Sequence, residues 1–398
     1  MNVILLGLLY SEQTLNEAKK RSKTTIQMAP HLFQTNLIKG FESAKDVALT
    51  VYNVPPVGSF PTHYKRLFMP KVKWGKDNVQ PSFLNLPWIK RVIQTRKLYA
   101  LLRKKLKSCD TKDTAILMYH TFEPFLRCAK KVKRKFPDVE ISLIMTDPVP
   151  GRDDRAKLMS PRAVKKGDRL VSLAKSCDSF VLLTEHMTAP IEVGDRPYTV
   201  VECICNESQA PANPTDGKKS ICLYTGTVDE EYGIKDFVKA FLEIQNAELW
   251  ICGGGDSADY LRRISEEHEH IKFFGFVDQA RVSEMRNACD FLINPRRPSG
   301  TYTKYSFPSK TAEYMMTEKP VIMYKLEGIP DEYDEYLNYL TAETPSGIQA
   351  ELENIFASDY TELRAKAQRA RRFMLEQKTS AKQAERILKL FVTNAEGR

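Results

Sequence analysis

The stretch YTKYSFPSKTAEY, residues 302–314, turns a loop into a helix and places charge at the turn. Pro308 suits a first helical position, where the N–H it lacks would have no intrahelical partner, and Ser306 is the expected cap. Ser309 and Lys310 then fall on the first turn, where free N–H groups and the helix dipole attract anions. Glu313 follows one turn later on about the same face. Hydroxyl, ammonium and carboxylate converge on one helix end. That set suits an anion carrying hydroxyls, such as a nucleoside diphosphate. An ordinary capped helix with solvated charges has the same spacing, so the flanking sequence must decide.

The flank MMTEKPVIMYKLEGIPDEY (315–333) reads as more helix, a break at Lys319 and Pro320, a buried strand, and a turn from Gly328 to Pro330. The whole run resembles the C-terminal domain of glycosyltransferase family 4. Within that family it is most similar to bacterial polysaccharide-assembly enzymes, in which a run like KYSFPSK..EY recurs. The resemblance implies an α/β fold of GT-B type: two doubly wound Rossmann-like domains facing a central cleft. It also implies retaining, metal-independent transfer of a sugar from a nucleotide diphosphate sugar to an acceptor hydroxyl. The family carries two glutamates separated by seven residues. Glu313 matches the second, and the first falls on Tyr305, so that carboxylate is absent here.

Other donor-side residues follow from the same resemblance. In YTGTVDEEYGIKDFVKAF (224–241), Gly226 matches the family's turn beside the diphosphate, and Lys235 or Arg296 supplies the cation, no arginine lying next to Gly226. LWICGGGD (249–256) lacks the spacing of a dinucleotide fingerprint, which excludes an NAD reading; its glycines match a turn near the nucleotide. Phe276 and Val277 occupy the turn against which the family's base packs. Arg296 and Arg297 close the following strand, one to fork onto phosphate and the other to face solvent.

In the first half, AILMYHTFEPFLRCA (115–129) sets His120 and Glu123 just past a strand, and ISLIMTDPVP (141–150) sets Asp147 past the next. Adjacent strand ends are where doubly wound domains place their chemistry. YHTFEP resembles the histidine-bearing loop that faces the donor sugar. Anchored on Glu123 and Pro124, the family's histidine falls on His120 or on Phe122. His120, Glu123 and Asp147 are the catalytic candidates, though a lone histidine also serves as a hydrogen-bonded structural residue and Asp147 before Pro148 as a turn former. No DxD metal motif occurs, Asp153 and Asp154 being adjacent in a basic loop, so no metal site and no cofactor are expected. The nucleotide sugar, UDP- or GDP-linked, is substrate.

The chain has 398 residues, enough for two domains, and no apolar run of membrane-spanning length. Its N-terminus reads as a first strand, not a signal peptide. The eight cysteines form no CxxC pair and read as reduced cytoplasmic thiols. Cys203 and Cys205, on a strand over 199–205, would point to opposite faces. Residues 1–200 carry 35 Lys and Arg against 18 Asp and Glu, and residues 201–398 carry 25 against 32. A half this basic seeks an acidic partner, while the acidic second half argues against a protein that coats nucleic acid. The expected partners are the nucleotide diphosphate sugar, a glycan or lipid-linked acceptor, and an anionic membrane surface, with no nucleic acid. The expected location is the cytoplasm, peripheral to the inner face of the membrane.

Alternating strand and helix patterns divide the chain into an N-terminal domain (1–205), a Pro- and Asn-rich linker (206–219), a C-terminal domain (220–380), and a final helix (381–398) returning to the first domain. Residues 10–30 read as a long loop, the family's acceptor side. PWIKRVIQTRKLYALLRKKLK (87–107) is a basic amphipathic helix that interleaves Trp88, Ile89 and Val92 with cations, suited to an anionic bilayer or, equally, to a domain core. Two rivals share these features: a nucleotide-sugar epimerase of GT-B fold, and a binding protein for anionic lipid or nucleic acid.

Overall fold

The structure, a computed structural model, describes every residue except 25, 27, 153–158, 299–301, 397 and 398, and no side chains for 393–396. Asp153 and Asp154 therefore lie outside the described residues. The chain forms two units, Met1–Ile204 with Ser380–Arg398, and Cys205–Thr379.

The first unit runs β1 (Asn2–Gly7), α1 (Glu12–Arg21), α2 (Met28–Ser43) and β2 (Ala48–Asn53). Four short strands follow: β3 (Phe68–Met69), β4 (Val72–Trp74), β5 (Asn78–Gln80) and β6 (Phe83–Leu84). Then come α3 (Ile89–Leu106), β7 (Thr114–Tyr119), α4 (Glu123–Lys135), β8 (Glu140–Met145), α5 (Pro161–Ala174), β9 (Ser179–Leu182) and β10 (Tyr198–Val200). Eight strands make one sheet in the order β10-β9-β8-β7-β1-β2-β5-β4, parallel except where β4 meets β5. A parallel sheet covered on both faces needs strands that are apolar throughout, and every residue of β7 and β8 is buried. The chain grows from β1 to β2 on one side and resumes with β7 on the other. The carboxyl ends of β1 and β7 therefore mark the switch point, where open α/β sheets bind ligands.

The second unit runs β11 (Ile221–Thr225), α6 (Ile234–Phe241), β12 (Glu248–Cys252), α7 (Ala258–Glu267), β13 (Ile271–Gly275) and α8 (Gln279–Ala288). It continues with β14 (Phe291–Asn294), α9 (Ser309–Met315), β15 (Val321–Tyr324), β16 (Asn338–Leu340), α10 (Pro345–Ala357) and α11 (Tyr360–Gln377). Its six parallel strands are ordered β13-β12-β11-β14-β15-β16, with the switch between β11 and β14. The last helix, α12 (Ser380–Glu396), packs on α2, β9 and β10 of the first unit. Ala384, Ile387 and Phe391 join that unit's core. Gly40 of α2 makes the approach possible, since a Cβ there would lie 2.0 Å from the Ser380 carbonyl oxygen.

Several expectations are corrected. Residues 10–30 are not one long loop, because α1 lies inside them. Ser11 Oγ accepts from the Thr14 N–H, and Thr14 and Ala18 face inward at helical spacing. The strand expected over 199–205 ends at Val200, so no alternation applies beyond it. Cys203 and Cys205 are both buried. Pro308 is the residue before α9 and not its first, and α9 has no side-chain cap. Ser306 Oγ is buried without a hydrogen-bond partner among the described residues. β3 to β6 and β16 went unpredicted because strands of two or three residues carry no readable period.

Candidate functional site

In the second unit, three adjacent strands end in glycine turns that bond to one another. The Gly226 N–H donates to the Cys252 carbonyl at 2.9 Å, Val228 N–H to Gly254 at 3.1 Å, and Gly253 N–H to Gly275 at 2.8 Å. Gly253 has φ +144°, and a Cβ on it would sit 1.7 Å from the Gly226 carbonyl oxygen. Only glycine permits that approach. The Phe276 ring lies over Gly254 and is 89% exposed. Its free face, beside half-buried Val277, can receive a planar group.

The helix end at 302–314 is tied to this row of turns. Tyr314, fully buried, accepts through its hydroxyl from the Thr225 N–H at 3.0 Å, one residue before Gly226. Thr311 of α9 accepts from Asn294 Nδ2 at the end of β14. On the outer side of α9, Lys310 Nζ meets Glu313 Oε2 at 2.8 Å. The two residues assigned to phosphate and ribose thus pair with each other. Tyr305 is buried in a short 3-10 turn (Thr303–Tyr305). No carboxylate stands at its position to replace the absent glutamate.

The sequence left the donor cation open between Lys235 and Arg296. Lys235 Nζ is held by Glu230 at 2.6 Å, which raises its pKa, and it lies 5.8 Å from the centre of the Tyr260 ring. The Arg296 guanidinium lies beside two tyrosine rings, 4.5 Å from the centre of Tyr302 and 5.1 Å from that of Tyr232, and the two rings meet edge-on. Its Nε is buried with no partner among the described residues, so its hydrogen-bonding capacity is unspent at the switch point. Of the two arginines, one of which was expected to face solvent, Arg297 is ion-paired and half-buried. It pairs with Asp236 at 3.1 Å and donates to the Glu343 carbonyl at 2.7 Å. That two tyrosines would lie beside Arg296 had no signal in the sequence.

In the first unit, β7 delivers His120 to the switch point in a left-handed conformation, φ 65°. Its Nδ1 is buried without a hydrogen-bond partner among the described residues and lies 3.8 Å from Asp147 Oδ2, just past β8. Of the two positions open for the family's histidine, Phe122 packs edge-on against Phe125, leaving His120 as the polar group. Glu123 does not join His120 and Asp147. As the first residue of α4, its carboxylate receives Arg127 at 2.7 Å, Arg169 at 2.5 Å and Arg91 at 3.5 Å. Three guanidinium groups from α3, α4 and α5 make it an anchor between helices, not a group poised to move a proton.

Burial lowers the His120 pKa, the charge of Lys166 adds to this, and Asp147 opposes it. Unfolded histidine titrates near 6.5. Above that pH both states are neutral at this position. Below it the unfolded chain takes up a proton that the folded one resists, and stability falls. The stability difference between wild type and His120→Asn, from urea unfolding, should be constant above about pH 6.5 and move in favour of the variant below it. A difference that stays flat in the acid range would contradict a half-buried imidazole that resists protonation in the folded protein. Asparagine tolerates the left-handed conformation.

Comparison with known proteins gives these geometries a class. Residues 219–357 match the family Glycosyl transferases group 1. No curated protein matches the chain by sequence. Sucrose-phosphate synthase from Thermosynechococcus elongatus superposes over 100% of both chains at 12% identity and TM-score 0.63. Anabaena HepE, solved with UDP and glucose, is similar over 99% of this chain and 100% of its own, at 14% identity and TM-score 0.61. An α,α-trehalose-phosphate synthase (UDP-forming) from Burkholderia xenovorans, solved with glucose-6-phosphate, covers 98% and 99% at 9% identity and TM-score 0.60. The fold is GT-B, and the protein is a glycosyltransferase of that architecture. Among the described residues no helix is long and apolar enough to cross a membrane.

Proposed function

We propose that the protein is a retaining, metal-independent hexosyltransferase. It would move a sugar from a UDP- or GDP-sugar to a glycan or lipid-linked acceptor in surface polysaccharide or glycolipid assembly, at the inner face of the membrane. The observation that carries this reading is the gathering of glycine turns, Arg296 and α9 at the β11/β14 switch point. Charge develops on the diphosphate as it leaves. Arg296, the Lys310 ammonium and backbone N–H groups would stabilise that charge without a divalent ion. Lys310 would turn from Glu313 to the diphosphate, releasing the carboxylate to accept from ribose hydroxyls. Phe276 and Val277 would receive the base. His120 and Asp147, brought together at the first unit's own switch point, remain the catalytic candidates of that unit. The UDP in HepE supports a uridine nucleotide, and retention of configuration rests on the resemblance to family 4.

Thermal-shift measurement with UDP, GDP, ADP and CMP tests the donor. A ligand at a hundred times its dissociation constant adds about 2.7 kcal/mol of stability. One nucleoside diphosphate should stabilise well above the others, and no stabilisation by any of them would overturn the reading. Transferase activity should survive EDTA. Activity lost to the chelator and restored by Mg²⁺ or Mn²⁺ would show that a metal takes part.

A further inference from the structure

The first unit holds an open cavity of about 1380 Å³ whose charged lining is almost wholly cationic. From α3 come Lys90, Arg91 and Arg96, and from α4 Arg127 and Lys131. α5 supplies Arg162, Lys165, Lys166 and Arg169. Among the described residues the only carboxylate in the lining is Glu123, already engaged by three of these arginines. First-turn residues of all three helices lie in the wall, each helix at least thirteen residues long. Their N-terminal dipoles add to the positive field. Such a concentration of one sign in a concave wall focuses potential on its interior. It works against the folded state unless an anion is there to oppose it. Burial, with Arg91 beside it, already lowers the Lys90 pKa to about 8.

Two features say what kind of anion. Trp88 lines the cavity, 78% exposed and held at φ 69°, and Val92, also in the lining, is 51% exposed. Ile89 between them is 49% exposed. The other end of the same helix buries its apolar side chains Leu98, Leu102 and Leu106. Indole and aliphatic groups beside cations at one helix tip have the composition of a segment that enters the bilayer interface. The second feature is the start of α4: Glu123 and Pro124 line the cavity only three and four residues past His120. The cavity therefore lies close to the catalytic candidate of its own unit.

We propose that this cavity binds the phosphate-bearing head of a lipid, presented by a membrane into which Trp88, Ile89 and Val92 insert, and that this head belongs to the acceptor. The clause about the acceptor rests on the transferase reading above; the binding of a phosphorylated lipid head does not. Arginine forks match phosphate oxygens in pairs, and a wall this cationic suits a head carrying more than one negative charge.

Co-sedimentation with vesicles tests it. Vesicles containing phosphatidic acid should bind the protein more tightly than vesicles of phosphatidylserine matched in charge, and inorganic pyrophosphate should displace it. Lys131→Gln, Arg162→Gln and Lys165→Gln together remove three exposed cavity cations that have no carboxylate partner among the described residues. At roughly fivefold per cation the triple variant should bind about 100-fold more weakly. Lys19→Gln, Lys20→Gln and Lys39→Gln, an equal charge change elsewhere on the unit, should leave the preference for phosphatidic acid intact. Equal binding to the two vesicle types, or a cavity variant that sediments like wild type, overturns the proposal. Pyrophosphate binding without vesicle binding overturns the lipid source. UDP or GDP stabilisation is measured on the same samples. Vesicle binding without nucleotide stabilisation would remove the donor reading and keep the cavity, and the reverse result would remove the cavity alone.

Discussion

Gly253→Ala should cost the C-terminal unit more than about 4 kcal/mol, a loss typical of steric and burial failures. Two causes add. Gly253 has φ +144°, which side-chain-bearing residues rarely adopt, and the new Cβ would stand 1.7 Å from the Gly226 carbonyl oxygen. The obstacle is backbone, so no rotamer change relieves it. Moving Gly226 would also break its bond to the Cys252 carbonyl at 2.9 Å. Gly275→Ala is the control. Gly275 also has positive φ, +62°, but nothing lies within 4 Å of the place its Cβ would take. That substitution should cost only the left-handed penalty of about 1–2 kcal/mol. Urea unfolding followed by circular dichroism and by proteolysis of the second unit compares them. A Gly253→Ala protein with the wild-type midpoint would show that the two turns are not packed as described.

Lys310→Ala should lower kcat by about 10²–10³-fold, the usual cost of removing one donor aimed at developing charge. Affinity for the nucleoside diphosphate should fall by about 1.5–3 kcal/mol, the worth of a hydrogen bond to a charged group. The bare nucleoside should bind as before. Lys310 sits on the outer side of a helix whose other face is buried, and it pairs with Glu313 at 2.8 Å. The substitution therefore leaves the core untouched. It also leaves Glu313 without its ammonium and adds repulsion toward a phosphate. Calorimetry with UDP and uridine, or the guanine pair if GDP is the better ligand, separates the two effects. Equal losses for nucleoside and diphosphate would assign Lys310 to structure.

The α/β class and the two doubly wound units were legible because their signals are local, while the GT-B type followed from the resemblance of residues 302–333 to family 4. A strand of a covered parallel sheet is apolar along most of its length, as in β7 and β11, and a helix shows one apolar stripe, as in α4. Caps and turns tell where each stops. The amphipathic helix of 87–107 was legible too, but not its division into an exposed tip at Trp88 and a buried end at Leu106. What the sequence did not contain was adjacency. Strand order is set by packing between segments far apart in the chain. Nothing near Gly226 or Arg296 says that β11 lies beside β14, or that Tyr314 closes onto Thr225. The partners of charged side chains are decided in the same way. Glu123 had the right type and spacing for catalysis, and three arginines from three helices claimed it. Lys235 had the right sign and pairs with Glu230, while Arg296 keeps a buried Nε with no partner among the described residues, beside two tyrosine rings. A charge settles on whichever opposite charge the fold brings within reach, and Coulomb energy falls with distance in space, not along the chain.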